Sequence, residues 1–363
     1  MSREIIFFIG TEAEFIKLFP VIIECQKRNK ICNIVASGQN DLKKSRILDF
    51  IELNGKFLEL SNEKEISKST MGLLRWFFKT IMRAERIIKE EFKNYIFTEI
   101  PVVVHGDTIS TLMGAWIGKK LGAKVYHVEA GLRSHNLFNP FPEEIDRLLT
   151  SKLANVHFAP DKTAVCNLSK AKGKVINTEY NTILDSLEFS KEISLVTEEV
   201  KKIINTRYFV FVMHRQENLA NKEFFKSVLD KVNQLSKEIE CVFIMHKITE
   251  NALIEMNEME KIKENQQFVL LPRVDYFDFM KLLENAEFII TDGGSNQEEL
   301  HYMGKPCLIM RKNTERYDGI GTNALLYNGD TNSIIDFGKN YGNYKKRPIK
   351  PQSYPSNIIA DNI

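Results

Sequence analysis

The chain has 363 residues, with 50 Lys and Arg against 48 Asp and Glu, a formal net charge of +2. Domains usually run to roughly 100–200 residues, so the length calls for two domains, each able to bury a core. At 43% hydrophobic and 27% charged, the composition is that of a globular protein; the balanced charge argues against a nucleic-acid-binding surface, and no apolar run approaches the roughly 20 residues that span a bilayer.

Taken in order, MSREIIFFIGTEAEF has only a short apolar stretch without a cleavage-like site, and reads as a first strand rather than a signal peptide. Glu4–Gly10 is that strand, Ala13–Lys27 a helix and Cys32–Ser37 a strand. The charged segment Ser61–Glu91 carries Leu73, Leu74, Trp76, Phe77 and Ile81, and reads as one or two amphipathic helices, with a dimer contact or a substrate lid as further options. Pro101–His105 and Lys124–Glu129 are strands flanking the helical Ile109–Leu121. The second half repeats the rhythm, with strands at Tyr208–Met213, Cys241–Met245, Phe268–Leu271, Glu287–Thr291 and Pro306–Met310. Near-continuous apolar strands alternating with helices indicate parallel sheets covered on both faces. The fold class expected is α/β, with two Rossmann-like, doubly wound domains.

The least structured stretch between the halves is Lys170–Thr178, which places the domains at 1–170 and 171–353. Lys339–Pro355 reads as a surface connection, and Ser356–Ile363 as a short helix, so that 354–363 packs back on the first domain. The five cysteines are scattered without C-x-x-C spacing, which disfavours a disulfide framework or zinc ribbon and fits a reducing cytosol. No Walker loop or N-terminal G-x-G-x-x-G is present, and no cofactor or metal is expected.

Ligands of open α/β domains bind outside the carboxyl ends of the strands. There this chain places His105-Gly106-Asp107-Thr108, His127-Val128-Glu129 with Gly131 and Arg133, His214-Arg215-Gln216-Glu217-Asn218, and Thr291-Asp292-Gly293-Gly294-Ser295. Two readings fit the aspartates: Asp107 and Asp292 either cap the helices that follow or line a site. Thr291–Glu299 is the best anion site, because a Gly-rich turn opening a helix gathers backbone N–H groups and the positive helix end, as a diphosphate requires. Glu298 or Glu299 suits a ribose diol, and a plain strand–helix turn is the alternative. Phe138–Arg147 pairs two prolines with Glu143 and Glu144 before a helix; one acid complements the helix dipole and leaves the other for a cleft. His157 and His301 read as structural, and a metal site at His105/Asp107 and His127/Glu129 matches no ligand spacing.

HGDTISTLMGA (105–115), HVEAGLRS (127–134), PFPEEIDR (140–147), HRQEN (214–218), TDGGSNQEEL (291–300) and GKPCLIMRKNTER (304–316), in this order, resemble the UDP-N-acetylglucosamine 2-epimerases, from Gly10 to about Asp330. The resemblance implies the glycosyltransferase-B architecture, two Rossmann-like domains facing a central cleft, and a cytoplasmic homodimer. It implies a UDP-N-acetylhexosamine substrate, whose C2 proton is removed as UDP leaves C1, giving a 2-acetamidoglucal that takes UDP back with protonation at the other face. Addition of water instead would release a free sugar. Carried over by motif position, Asp107 and Glu143 are the acid/base candidates, Glu129 supports them and His214 assists the diphosphate. Lys17, Arg133, Arg215 and Arg316 bind substrate or phosphate, Gly293, Gly294 and Ser295 cradle the diphosphate, Glu299 holds the ribose and Phe279 packs near the uracil.

The chain departs from the family in four loops. The family's G-T-R-P-E-x-I-K is Gly10-Thr11-Glu12-Ala13-Glu14-Phe15-Ile16-Lys17, which puts Glu12 where an arginine is expected. Its S-G-G is Gly-Gly-Ser at 293–295, its T-E-R-P-E is Thr314-Glu315-Arg316-Tyr317-Asp318, and its G-Q-H is Gly38-Gln39-Asn40. The expectation is a non-hydrolysing 2-epimerase for surface polysaccharide precursors. The alternatives are a hydrolysing 2-epimerase, a glycosyltransferase on the same fold, or a nucleotide-sugar-binding regulator.

Overall fold

A computed structural model describes residues 3–62, 70–136, 141–193, 196–311 and 318–363. It divides into two compact units, Met1–Ser186 with Gln352–Ile363, and Leu187–Pro351.

In the first unit the order is β1 (Glu4–Ile9), α1 (Glu12–Lys27), β2 (Ile31–Ala36), β3 (Phe57–Glu59), α2 (Thr70–Glu91), β4 (Pro101–His105), α3 (Ile109–Lys120), β5 (Lys124–Val128), α4 (Glu143–Leu153), β6 (Val156–Ala159), α5 (Lys162–Asn167), β7 (Lys174–Asn177) and α6 (Ile183–Glu192). The strands form one parallel sheet in the order β3-β2-β1-β4-β5-β6-β7, so the winding reverses between β1 and β4. β1 and β4 are apolar almost throughout and buried, as a sheet covered on both faces demands. One core cluster carries Phe8, Val104 and Met113 with Trp76 and Ile88 of α2, so the buried stripe of that charged helix closes one face of the sheet. The first part of the segment read as helical, Glu63–Lys68 with Ser69, lies outside the described residues.

The second unit runs α7 (Glu198–Ile203), β8 (Tyr208–Val212), α8 (Gln216–Ala220), α9 (Lys222–Ser236), β9 (Glu240–Met245), α10 (Lys247–Glu255), α11 (Met259–Glu264), β10 (Phe268–Pro272), α12 (Tyr276–Asn285), β11 (Ile289–Thr291), α13 (Gly294–Met303), β12 (Cys307–Ile309), β13 (Ala324–Leu326) and α14 (Ser333–Asn340). Its parallel sheet has the order β10-β9-β8-β11-β12-β13 and reverses between β8 and β11. Phe209, Phe211, Phe243 and Phe288 fill the core on one face.

The boundary placed at residue 170 is corrected to Ser186. Lys170–Thr178 is no linker: β7 lies inside it and pairs with β6 from Val156↔Lys174 to Ala159↔Asn177. The boundary falls inside α6, and the start of that helix is tied to the first unit. Pro20 has no N–H for the Ile16 carbonyl four residues before it, and Ser186 Oγ donates to that carbonyl instead, at 2.5 Å. The C-terminal segment forms α15 (Pro355–Asn362), which packs on α1; Lys30 Nζ donates to the carbonyls of Ala360 and Ile363, at 3.1 and 2.7 Å.

Candidate active site

Each unit gathers its polar residues where its own sheet reverses direction, the place at which a doubly wound sheet opens a crevice. In the first unit this is the gap between the ends of β1 and β4. α1 opens there with a capping box: Thr11 accepts from Glu14 N, and Glu14 accepts from Gly10 N at 2.5 Å and Thr11 N at 3.2 Å. The Glu14 carboxyl also takes the hydroxyls of Thr108, after β4, and Thr111. Burial pushes its pKa up to about 7, against the pull of those hydrogen bonds. Glu14 thus clamps the two loops together across the switch point.

Asp107 does not cap α3. Thr108 does, with Thr111 completing the box. The Asp107 side chain is left for Arg147, whose Nη2 donates to its Oδ2 at 2.5 Å, and Arg147 Nη1 lies 3.4 Å from Glu144 Oε2. Glu144 is fully buried and accepts from Arg133 Nε at 2.5 Å and from Ser134 N at 2.9 Å. Of the two acids that open α4, Glu144 is therefore the structural one. Glu143 keeps a buried Oε2 with no hydrogen-bond partner among the described residues.

Glu129 follows β5 with φ +61°, a left-handed conformation that a non-glycine residue adopts at a cost and that clusters at functional sites. Its carboxylate is held there by Lys17 Nζ of α1 and by Asn181 Nδ2. His105 Nε2 stands 3.5 Å from Glu129 Oε2, and burial lowers the His105 pKa to about 3, so the ring is neutral. His127 is likewise kept neutral by burial, at about 4, and its Nε2 donates to Gly106 O at 2.7 Å. Lys17, Asp107, Glu129, Arg133 and Glu143 thus belong to the helices and loops around one switch point of one unit.

The second cluster lies at the ends of β8 and β11. Asp292 is fully buried, and among the described residues its side chain caps no helix. It accepts from His214 N at 3.0 Å, Arg215 N at 2.9 Å and Asn218 Nδ2 at 3.0 Å, so it holds the HRQEN loop against the start of α13. Its Oδ1 is 3.3 Å from His214 Nδ1. The His214 ring stacks on His246 at 4.4 Å between centroids. Gly293 stands at the N-cap of α13, and a Cβ there would come within 3.2 Å of His214 Cε1. The backbone of the anion turn thus lies directly against the imidazole. Donor N–H groups, a helix N-terminus and an imidazole in one place make a site for a doubly charged phosphate group.

Arg215 reaches Glu217 Oε1 with its side chain, at 3.0 Å. Glu299 is buried on α13 close enough to the Tyr276 hydroxyl to add to the burial that raises that phenol's pKa. Phe279 is half-buried on α12 after β10, a strand separated from β8 by β9. Arg316 and Phe138–Pro140 lie outside the described residues, as does the side chain of Ser295. Glu12, the departure from the family arginine, accepts from Ser45 Oγ at 2.7 Å, and its backbone N–H donates to Asn40 Oδ1 at 3.0 Å. Asn181 and Asp146 escaped the reading of the sequence. The signal available for Asp146 was its place three residues after Glu143, on the same helix face.

The family model for UDP-N-acetylglucosamine 2-epimerase matches residues 23–348. The chain is 32% identical over 338 residues to the UDP-N-acetylglucosamine 2-epimerase of Methanococcus maripaludis, covering 90% of this chain and 88% of that protein. It is 33% identical over 334 residues to the enzyme of that name from Methanocaldococcus jannaschii, covering 89% and 87%. The crystal structure of the latter's UDP-GlcNAc 2-epimerase with UDP-GlcNAc and UDP superposes with a TM-score of 0.74 at 30% identity, covering 99% of this chain and 98% of that one. With both sheets, both switch-point clusters and the matches spanning most of the chain, this protein belongs to the UDP-N-acetylglucosamine 2-epimerase family.

Proposed function

We propose that the chain epimerises C2 of a UDP-linked N-acetylhexosamine, of the UDP-GlcNAc to UDP-ManNAc type, without hydrolysis and for surface polysaccharide precursors. The observation that carries this reading is the pair of switch-point clusters: an anion turn built around His214, and a set of carboxyls in which Glu143 keeps a buried oxygen with no partner among the described residues. A carboxylate takes the C2 proton, the C1–O bond to the diphosphate breaks, and UDP leaves with the bonding electrons. UDP then re-adds at C1 while a carboxyl protonates the opposite face of C2. Asp107 and Glu143 are the acid/base pair, Glu129 is held in place beside them, and His214 with Gly293, Gly294 and Ser295 takes the charge of the departing diphosphate. Lys17, Arg133, Arg215 and Arg316 serve phosphate and sugar, Glu299 the ribose and Phe279 the uracil. That the M. jannaschii relative is described with UDP-GlcNAc and UDP supports the choice of substrate.

The test is to incubate the protein with UDP-GlcNAc in deuterated water and follow proton NMR. Deuterium at C2 of a retained UDP-sugar is the expected result. Free sugar with UDP would replace this reading by the hydrolysing one, and no exchange with any UDP-N-acetylhexosamine would end both. The reading includes a cytoplasmic homodimer. Met71, Leu74, Phe78 and Met82 form an exposed apolar row on α2. Light scattering should give twice the chain mass for the wild type and a monomer for the double variant Phe78→Asp/Met82→Asp.

A further inference from the structure

We propose that Asp146 is a positioning residue of the acid/base set, a buried third carboxyl that keeps Arg147 on Asp107 and leaves a Glu143 oxygen open for substrate. This rests on the epimerase reading of the first-unit cluster. Asp146 is 4% exposed, and its Oδ2 is buried without a hydrogen-bond partner among the described residues. It stands one helical turn after Glu143 on α4.

Burial first, and then the charges around it, explain why it stays neutral. Burial raises its pKa most, and Asp107 from the β4–α3 loop and Glu143 from its own helix, both near enough to repel its charge, add to this; together they push it up to about 7. From β5 comes His127, a neutral ring bonded to Gly106 O. The first turn of α3, against which α4 packs, is Ile109-Ser110-Thr111-Leu112 and carries no charge. The two arginines of the cluster are engaged, Arg147 by Asp107 and Glu144, and Arg133 by Glu144. An ionised Asp146 would meet two carboxylates and compete with Asp107 for Arg147. In its neutral form it fills the space beside Glu143 at no such cost.

Above pH 7 Asp146 loses its proton to solvent. Its new charge draws Arg147 from Asp107 and repels Glu143, so turnover falls on the alkaline side. Asn is the isosteric stand-in for the neutral carboxyl.

Two measurements on the full chain test this. With the aspartate carboxyl carbons labelled with carbon-13, wild-type protein should show two carboxyl signals titrating near pH 7, from Asp146 and the equally buried Asp185, and Asp146→Asn should lose one of them. If all aspartate signals titrate below pH 5, or both near pH 7 survive in the variant, the proposal is overturned. In the second measurement, the ratio of kcat at pH 8.5 to kcat at pH 6 with UDP-GlcNAc should rise at least about threefold in Asp146→Asn. An unchanged ratio overturns the positioning role. If wild-type protein does not turn over UDP-GlcNAc, the functional reading fails by itself and the carboxyl titration still decides whether Asp146 is the neutral member of the cluster.

Discussion

Asp107 Oδ2 accepts from Arg147, whereas Glu143 keeps an unbonded oxygen, so the proposed acid/base pair would enter the reaction differently engaged. An amide at either position preserves size and removes the capacity to exchange the C2 proton. Asp107→Asn and Glu143→Gln are each expected to lower kcat by about 100-fold or more, with UDP affinity within a few-fold of wild type. Calorimetric titration with UDP beside steady-state rates checks this; collapse of UDP binding would take the acid/base role away from the residue concerned. Asp292 has the opposite profile. It accepts from His214 N, Arg215 N and Asn218 Nδ2, and an amide would turn a donor toward donors. At about 1.5–3 kcal/mol for a hydrogen bond to a charged group, Asp292→Asn should weaken UDP binding roughly ten- to hundredfold. Unchanged affinity would separate the HRQEN loop from the anion turn. Asp107, Glu129 and His214 were legible in the sequence because each follows an apolar strand. Glu14 stood in a family loop with no role attached. The buried roles of Glu14 and Asp146 were not legible, since an acid's distance from water is set by the packing of other elements.

Among elements, the inner strands were readable because burial on both faces leaves an unbroken apolar run, as in Tyr208–Val212. β3, β7 and β13 are edge strands of three or four residues, partly exposed, and short half-exposed runs carry no such signature. Placing a boundary inside 170–178 followed from that silence. The C-terminal helix was legible, but its anchor was not. Ser356 N, at the start of α15, donates to Asp185 Oδ1 at 3.0 Å, while Asp185 Oδ2 is buried without a partner among the described residues. Burial pushes the Asp185 pKa up to about 7. A carboxyl raised in the folded state contributes stability at low pH and loses it as pH climbs from about 4 toward 7. Asn at this position still accepts from Ser356 N and carries no such cost. Asp185→Asn should therefore gain on wild type in melting temperature as pH rises across that range, measured side by side at pH 5 and pH 7.5. A gap that does not change with pH would mean that Asp185 ionises in the folded protein at its ordinary, unfolded-state pKa.

At the scale of the whole molecule, two sets of buried groups oppose one another. Glu14, Asp146 and Asp185 have pKa values raised to about 7, chiefly by burial, so their contribution falls as pH rises from about 4 to 7. His105 and His127 are lowered to about 3 and 4, again chiefly by burial, and His157 is lowered too. A depressed histidine contributes stability above its unfolded pKa near 6.5 and loses it as pH falls toward the folded value, so these groups favour the fold as pH rises. The half-buried His246, lowered to about 4, adds a smaller part because solvent screens it. Between about pH 4.5 and 6.5 the two slopes have opposite sign and comparable number, and wild-type stability should be nearly flat there. Removing two carboxyls uncovers the histidines. The double variant Glu14→Gln/Asp185→Asn should show stability rising with pH from 5 to 6.5 in urea titrations, while wild type changes little. A parallel pH dependence for the two proteins would show that the buried carboxyls and histidines do not titrate against each other, and that the fold's pH response comes from its surface ion pairs.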